Sequence, residues 1–103
     1  MIKVAVLFQN HINDAMYLLN INPELACIHA LVAEELLTNY DMDDLLEDGA
    51  LIDHATERKV GDTIISLDGD CTVSSSDVRE FLDEIIYMAA HLGVAVNTPF
   101  PAQ

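Results

Sequence analysis

A chain of 103 residues is long enough for one hydrophobic core and too short for two. Half of it is apolar (51%), which excludes an acidic disordered tail even at a formal charge of −14. Small soluble domains usually carry a charge of magnitude ~2–8; so acidic a chain repels free nucleic acid and anionic membrane, and a basic protein is the favoured partner.

Ile2 to Phe8 is a continuous β-branched and apolar run, expected as a strand buried on both faces. Its brevity, with Gln9-Asn10-His11 following, argues against a signal peptide. Asn10 or Asn13 then caps a short helix through Leu19, with Ile12, Met16 and Leu19 at helical spacing. In the punctuation Asn20-Ile21-Asn22-Pro23, Asn22 suits a cap and Pro23 the first helical position. Glu24 complements the positive end of the helix dipole. The helix that follows, from Pro23 to about Thr38, is apolar nearly all round until Glu34 and Glu35, which sets it at the centre of the core. His29 lies in this run without a partner at catalytic spacing, and reads as a core or boundary histidine.

Asn39-Tyr40-Asp41 interrupts, and a short helix is expected from Asp41 to Asp48, stopped by Gly49. Met42, Leu45 and Leu46 would face the core and set Asp41, Asp44 and Asp48 on one outer face, with Asp43 and Glu47 beside them. Ala50 to Thr56 fits a strand or a helix and is read as a strand, Glu57 to Asp62 reads as a turn, and Thr63 to Leu67 as a strand. Asp68-Gly69-Asp70 is then a hairpin turn and Cys71-Thr72-Val73 the returning strand. Ser74-Ser75-Ser76-Asp77 caps the last helix, expected from about Asp77 to Leu92, with Glu80 following Asp77 as in a capping box. Val78, Phe81, Leu82, Ile85, Ala89 and Leu92 form its apolar stripe; Glu80, Asp83, Glu84, Tyr87 and His91 share the opposite face. Gly93 ends it, and Val94-Ala95-Val96 is expected as an edge strand before a Pro-rich tail. The expected architecture is a single α+β domain over residues 1–103. It has a small, mostly antiparallel sheet of about three to five strands, with three to four helices packed on one side.

Catalytic motifs are wanting. There is no GxSxG, no P-loop and no Gly-rich dinucleotide turn, and four glycines in all leave little for a phosphate cradle. Cys27 and Cys71 match no CxxC or metal spacing; a nucleophilic thiolate would need an electropositive setting, and this chain's field is negative. They read as reduced thiols of a cytoplasmic protein. Asp53, His54 and Glu57 cluster in sequence but lack the second histidine at i, i+4 that a helical metal site wants.

Ser66-Leu67-Asp68-Gly69-Asp70-Cys71-Thr72-Val73-Ser74-Ser75-Ser76-Asp77-Val78 resembles the calcium loop of dockerin modules. Asp68, Asp70, Val73 and Asp77 fit that pattern. Ser66 stands where the family has Asp, and Cys71 where it has the turn-making Gly. The resemblance implies a calcium site and a following helix. A hairpin at Asp68-Gly69-Asp70 with a Ser/Asp helix cap explains the same residues without a metal, and no metal or cofactor is expected.

Charge is the remaining signal. Residues 1–33 carry only Asp14, Glu24 and Lys3, whereas the other 70 carry 16 acids against three bases. Glu34 to Glu57 alone holds nine carboxylates and neither Lys nor Arg. Adjacent carboxylates ~7 Å apart in water repel by about 0.6 kcal/mol, a cumulative cost that suggests a use. B-DNA presents one charge per ~1.7 Å of axis, and a folded domain approximates this only with carboxylates on fixed elements. The partner-binding residues are therefore expected to be Glu34, Glu35, Asp41, Asp43, Asp44, Glu47, Asp48, Glu80, Asp83 and Glu84. By size and charge the chain looks like the acidic inhibitors of phages and mobile elements: anti-restriction proteins, anti-CRISPR proteins and uracil-DNA glycosylase inhibitors. The expected function is non-enzymatic occlusion of a basic nucleic-acid-binding protein. An immunity protein for a nuclease toxin, anchored by Tyr40 or Tyr87, and an adaptor subunit are the alternatives.

Overall fold

The computed structural model describes residues 1–47, 58–60, 63–65 and 73–97. Among these residues the chain runs β1 (Ile2–Lys3), α1 (Val4–Leu18), α2 (Pro23–Asn39), β2 (Leu45–Leu46), β3 (Arg58–Val60), β4 (Thr63–Ile65) and α3 (Ser75–His91). The strands form two separate antiparallel pairs, β1 with β2 and β3 with β4, so the class is α+β. Among the described residues the strands are two separate pairs and not one sheet, and three helices supply most of the core. None of the described helices is long and apolar enough to cross a membrane.

The first expected strand is mostly helix. Val4, Phe8, Ile12, Ala15 and Leu19 recur at helical intervals and are all buried, whereas Val6 between them is 49% exposed. Only Ile2 and Lys3 stay extended, and Asn10 and Asn13 lie inside α1 rather than capping it. Lys3 offers no side-chain cap; instead the N–H groups of Val4 and Ala5 donate to the carbonyl oxygens of Asp44 (2.8 Å) and Met42 (3.0 Å). A distant segment thus satisfies two of the donors that every helix start leaves open.

The short turn after α1 returns the chain antiparallel as α2. Asn22 Oδ1 accepts from the Leu25 N–H at 3.2 Å and Pro23 opens the helix, as the sequence foretells. Ala26, Ala30 and Ala33 lie in one fully buried row, and such small side chains let neighbouring helices approach closely. His29 does have a partner. Its Nδ1 lies 2.9 Å from Nδ1 of His11, both rings being half-buried where α1 and α2 meet. Burial, and then His29, hold the His11 imidazole below its ordinary value, against Asp14, which raises it.

Ser74, not Asp77, caps α3: its Oγ accepts from the Asp77 N–H at 3.2 Å, so the helix starts earlier than expected, at Ser75. At the other end Gly93 takes φ +74°, Val94 N–H donates to Ala89 and Gly93 N–H to Ala90. This is a Schellman closure, and only glycine adopts that φ without strain. Val78, Phe81, Leu82, Ile85 and Ala89 are buried as the stripe predicts; Leu92, beyond the last helical residue, is 60% exposed. Val94–Val96 form no strand. The chain instead returns to α1, where the Gln9 side chain donates to the Asn97 carbonyl (2.7 Å) and accepts from its N–H (2.9 Å).

Arg58–Val60, expected in a turn, pairs with Thr63–Ile65 in the register Arg58 to Ile65, and Val60 and Ile65 are buried. The expected strand at Ala50–Thr56, the His54 cluster and the Asp68–Asp70 turn lie outside the described residues, as does most of the dockerin-like loop.

Candidate partner-binding surface

The acidic residues divide into three environments. Glu34 and Glu35 sit on the last turns of α2 and are 7% and 4% exposed, so they leave the outward-facing array to which the sequence assigns them. The cause is the position of α2, covered by α1 on one side and by α3 on another, which leaves little of its surface to solvent. Arg58 compensates Glu34. Its Nη1 meets Glu34 Oε2 at 2.6 Å, its Nη2 meets Glu84 Oε2 at 2.6 Å, and its guanidinium lies 4.8 Å above the Phe81 ring. One planar cation thereby ties β3 to α2 and α3. Burial pushes the Glu34 carboxyl above the usual carboxylate range; Arg58 opposes the rise, and Glu84 and Glu35 add to it.

Asp41 to Glu47 forms a turn followed by β2, not a helix. Its conformation is set from outside, by the pairing of Leu46 with Ile2 and of Leu45 with Lys3, and by the α1 N–H groups already described. Met42 and Leu46 pack on the core while Leu45 is 51% exposed. Within the turn Asp44 Oδ2 accepts from the Asp41 N–H (3.3 Å) and Asp41 Oδ1 from the Asp43 N–H (3.4 Å). Asp43 also stands 3.9 Å from Lys3 Nζ. These carboxylates gather at the positive end of α1, whose own first turn has no acid. Part of the cluster is thus accounted for by the fold. Asp48 lies outside the described residues.

The third environment is the outer face of α3. Glu80, Glu84, Tyr87 and His91 follow one another at i, i+4, i+7 and i+11, with Asp83 beside them, and all five are exposed. Asp83 is 3.6 Å from Arg79 one turn earlier. Tyr87, 69% exposed, meets His91 edge to face at 4.5 Å. A shallow cleft of about 260 Å3 runs alongside, lined by Lys59, Val60, Asp77, Glu80, Phe81 and Glu84. Both α3 ends are closed by specific caps and its inner stripe is buried, so these side chains are held on a fixed support.

Through Arg58, Glu84 is tied to Glu34, which lies about 8 Å along the axis from the end of α2 at a rise of ~1.5 Å per residue. The acidic turn leaves from that same end, so the two exposed acidic elements flank the C-terminal half of α2. Sequence reasoning missed Arg58 because a lone Arg-Lys pair between Glu57 and Gly61 looks like a solvated turn. The only available hint was that Arg58 opens the first cationic stretch after Lys3. No family model, curated protein or solved structure matches the chain.

Proposed function

We propose that this chain is a small, acidic, non-enzymatic inhibitor that binds and occludes a basic nucleic-acid-binding protein or complex in the cytoplasm. It acts as an anti-defence protein of the phage type does, of which anti-CRISPR and anti-restriction proteins are the nearest examples. The observation that carries this reading is the outer face of α3, where Glu80, Asp83 and Glu84 stand exposed beside the exposed ring of Tyr87. Carboxylates on a fixed helix accept hydrogen bonds from the Lys and Arg that otherwise hold phosphates. An aromatic side chain with few rotors supplies the apolar anchor that charge alone lacks. The acidic turn adds long-range attraction, which speeds encounter more than it adds affinity.

The exposure of Tyr87 also favours a second reading, an immunity protein that seals one nuclease toxin. Tyr40, the other candidate anchor, is half-buried against the core and serves neither reading. The test is a tagged pull-down from a bacterial host lysate at low salt, eluted by a salt gradient, followed by a nucleic-acid-binding assay of the captured protein. Release of a basic protein at moderate salt, whose nucleic-acid binding then disappears on adding this chain, supports occlusion. A nuclease that holds through high salt and is silenced supports the immunity reading. A partner whose nucleic-acid binding is untouched overturns both.

A further inference from the structure

His11 and His29 lie 18 positions apart in sequence, yet their rings converge across the α1–α2 interface. The Nδ1 atoms are 2.9 Å apart, the ring centroids 5.2 Å, and the planes are inclined by 36°. Both residues sit within regular helix next to fully buried neighbours, Ile12 on one side and Ala30 on the other, so the backbone and not a loop sets their approach. As a hydrogen bond the contact needs one Nδ1 to carry a proton and the other to be bare.

We propose that this pair is a two-histidine site for a borderline divalent transition ion of the zinc, nickel or copper class. Two imidazole nitrogens ~2.0–2.1 Å from one ion lie about 2.9 Å apart when they subtend a right angle, and about 3.3 Å apart at the tetrahedral angle. The observed separation matches the first value and needs an opening of a few tenths of an ångström for the second. Both rings must tilt so that their lone pairs meet off the line joining the nitrogens, and the terminal torsion of histidine is soft enough to permit it. The donor moves its Nδ1 proton to Nε2 through water, so binding to the neutral pair releases no net proton.

Three further observations bear on the ion. The formal charge of −14 draws a dication to the chain as a whole, and no Lys or Arg lies between Val4 and Glu57 to compete for the two rings from along their own helices. Asp14, one turn after His11, acts electrostatically on the ring and is exposed, which suits it to an outer carboxylate. Among the described residues no third His, Cys, Asp or Glu joins the pair, so within them the protein supplies two ligands and leaves the remaining positions to water. Imidazole selects zinc, nickel and copper, whereas magnesium and calcium take carboxylate oxygens. An ion here links α1 to α2 and stabilises the folded chain by mass action.

The test uses the full chain, stripped of metal, titrated at neutral pH with Zn2+ or Ni2+ and, separately, with Mg2+. Expected are a melting temperature that rises with Zn2+ or Ni2+ but not with Mg2+, one ion per chain by calorimetry, and at least tenfold weaker binding in His11→Gln and in His29→Gln. Imidazole 15N spectra of the unsubstituted protein give a readout that survives even if a variant misfolds: both Nδ1 resonances should shift with the ion. Binding by either variant as tight as the parent's, shifts confined to Nε2, or no binding of Zn2+ or Ni2+ above that of Mg2+ each overturns the site.

Discussion

The acidic turn at Asp41–Glu47 and the outer face of α3 carry similar charge and hold it in opposite ways. In the turn, Asp41 and Asp44 point back at their own backbone, and the segment closes the start of α1 through the carbonyl groups of Met42 and Asp44. On α3, the position of Glu80, Asp83 and Tyr87 is fixed by the buried stripe beneath them and by the Ser74 and Gly93 closures, and of their polar groups Asp83 alone is shown pairing along the helix, with Arg79. A dense run of acids in a sequence is therefore a poor guide to an acidic working surface. The sparser set, spaced at helical intervals, is the better candidate.

The largest expected effect separates the two elements by binding. Glu80→Gln with Asp83→Asn and Tyr87→Ala, which leaves the Arg58 contacts in place, should weaken capture of the basic partner by about a hundredfold, as hot-spot truncation does. Asp43→Asn with Glu47→Gln should weaken it by less than about tenfold, chiefly through slower association, as expected of rim charges. Surface plasmon resonance across a salt series reads both. The reverse order of effects would make the turn the binding element.

Arg58 sharpens the comparison on the stability side, because it joins the α3 face to a buried acid. Arg58→Met should cost about 2–3 kcal/mol in urea unfolding, below the 3–5 typical of a fully buried pair since Arg58 keeps some solvent contact. Adding Glu34→Gln should restore part of that loss by removing the stranded carboxylate. A single substitution costing under about 0.5 kcal/mol would show that the clamp holds nothing together.

The same acid sets a pH dependence. Glu34 has a folded value raised above its unfolded one, so its proton is bound more tightly in the folded chain. Its burial costs nothing at low pH, where both states are protonated, and the folded state loses stability as pH rises from 4.5 through the folded value. Thermal melts should therefore show the parent chain losing ground to Glu34→Gln over that window. A constant difference across it would mean that Arg58 fully cancels the burial.

How far the sequence could reveal all this depended on whether each signal was local. Asn22-Pro23 announces the start of α2 and the run Ser74-Ser75-Ser76-Asp77 that of α3, although the box read at Asp77 and Glu80 sets the latter start two residues late; both helices were readable, as was the exposed face of α3. Ile2–Phe8 was not, because an unbroken apolar run satisfies a buried strand and a buried helix equally; only the longer series through Ile12 and Leu19 decides it. The conformation of Asp41–Glu47 depends on β1, about forty residues earlier, and no local pattern encodes that pairing. Burial of Glu34 and Glu35 was likewise hidden, since it comes from tertiary packing around α2, and Arg58 reaches Glu34 only through that packing.

The smallest effect is the most discriminating for the turn itself. Ser74→Ala removes an ordinary side-chain cap from α3 and should cost about 1 kcal/mol. Asp44→Ala removes a weaker 3.3 Å acceptor within the turn, and one carboxylate from the positive end of α1, at about 0.5 kcal/mol. Neutralisation also relieves repulsion among Asp41, Asp43 and Glu47, which opposes that loss. High salt separates the two contributions, because it screens exposed repulsion and leaves the backbone hydrogen bond in place. In low salt the Asp44→Ala and parent curves should nearly coincide, and in 1 M salt the variant should fall below the parent. A variant more stable than the parent in both would mean that the turn's charge is a net burden to the fold, and that its carboxylates, like those of α3, are kept for a partner.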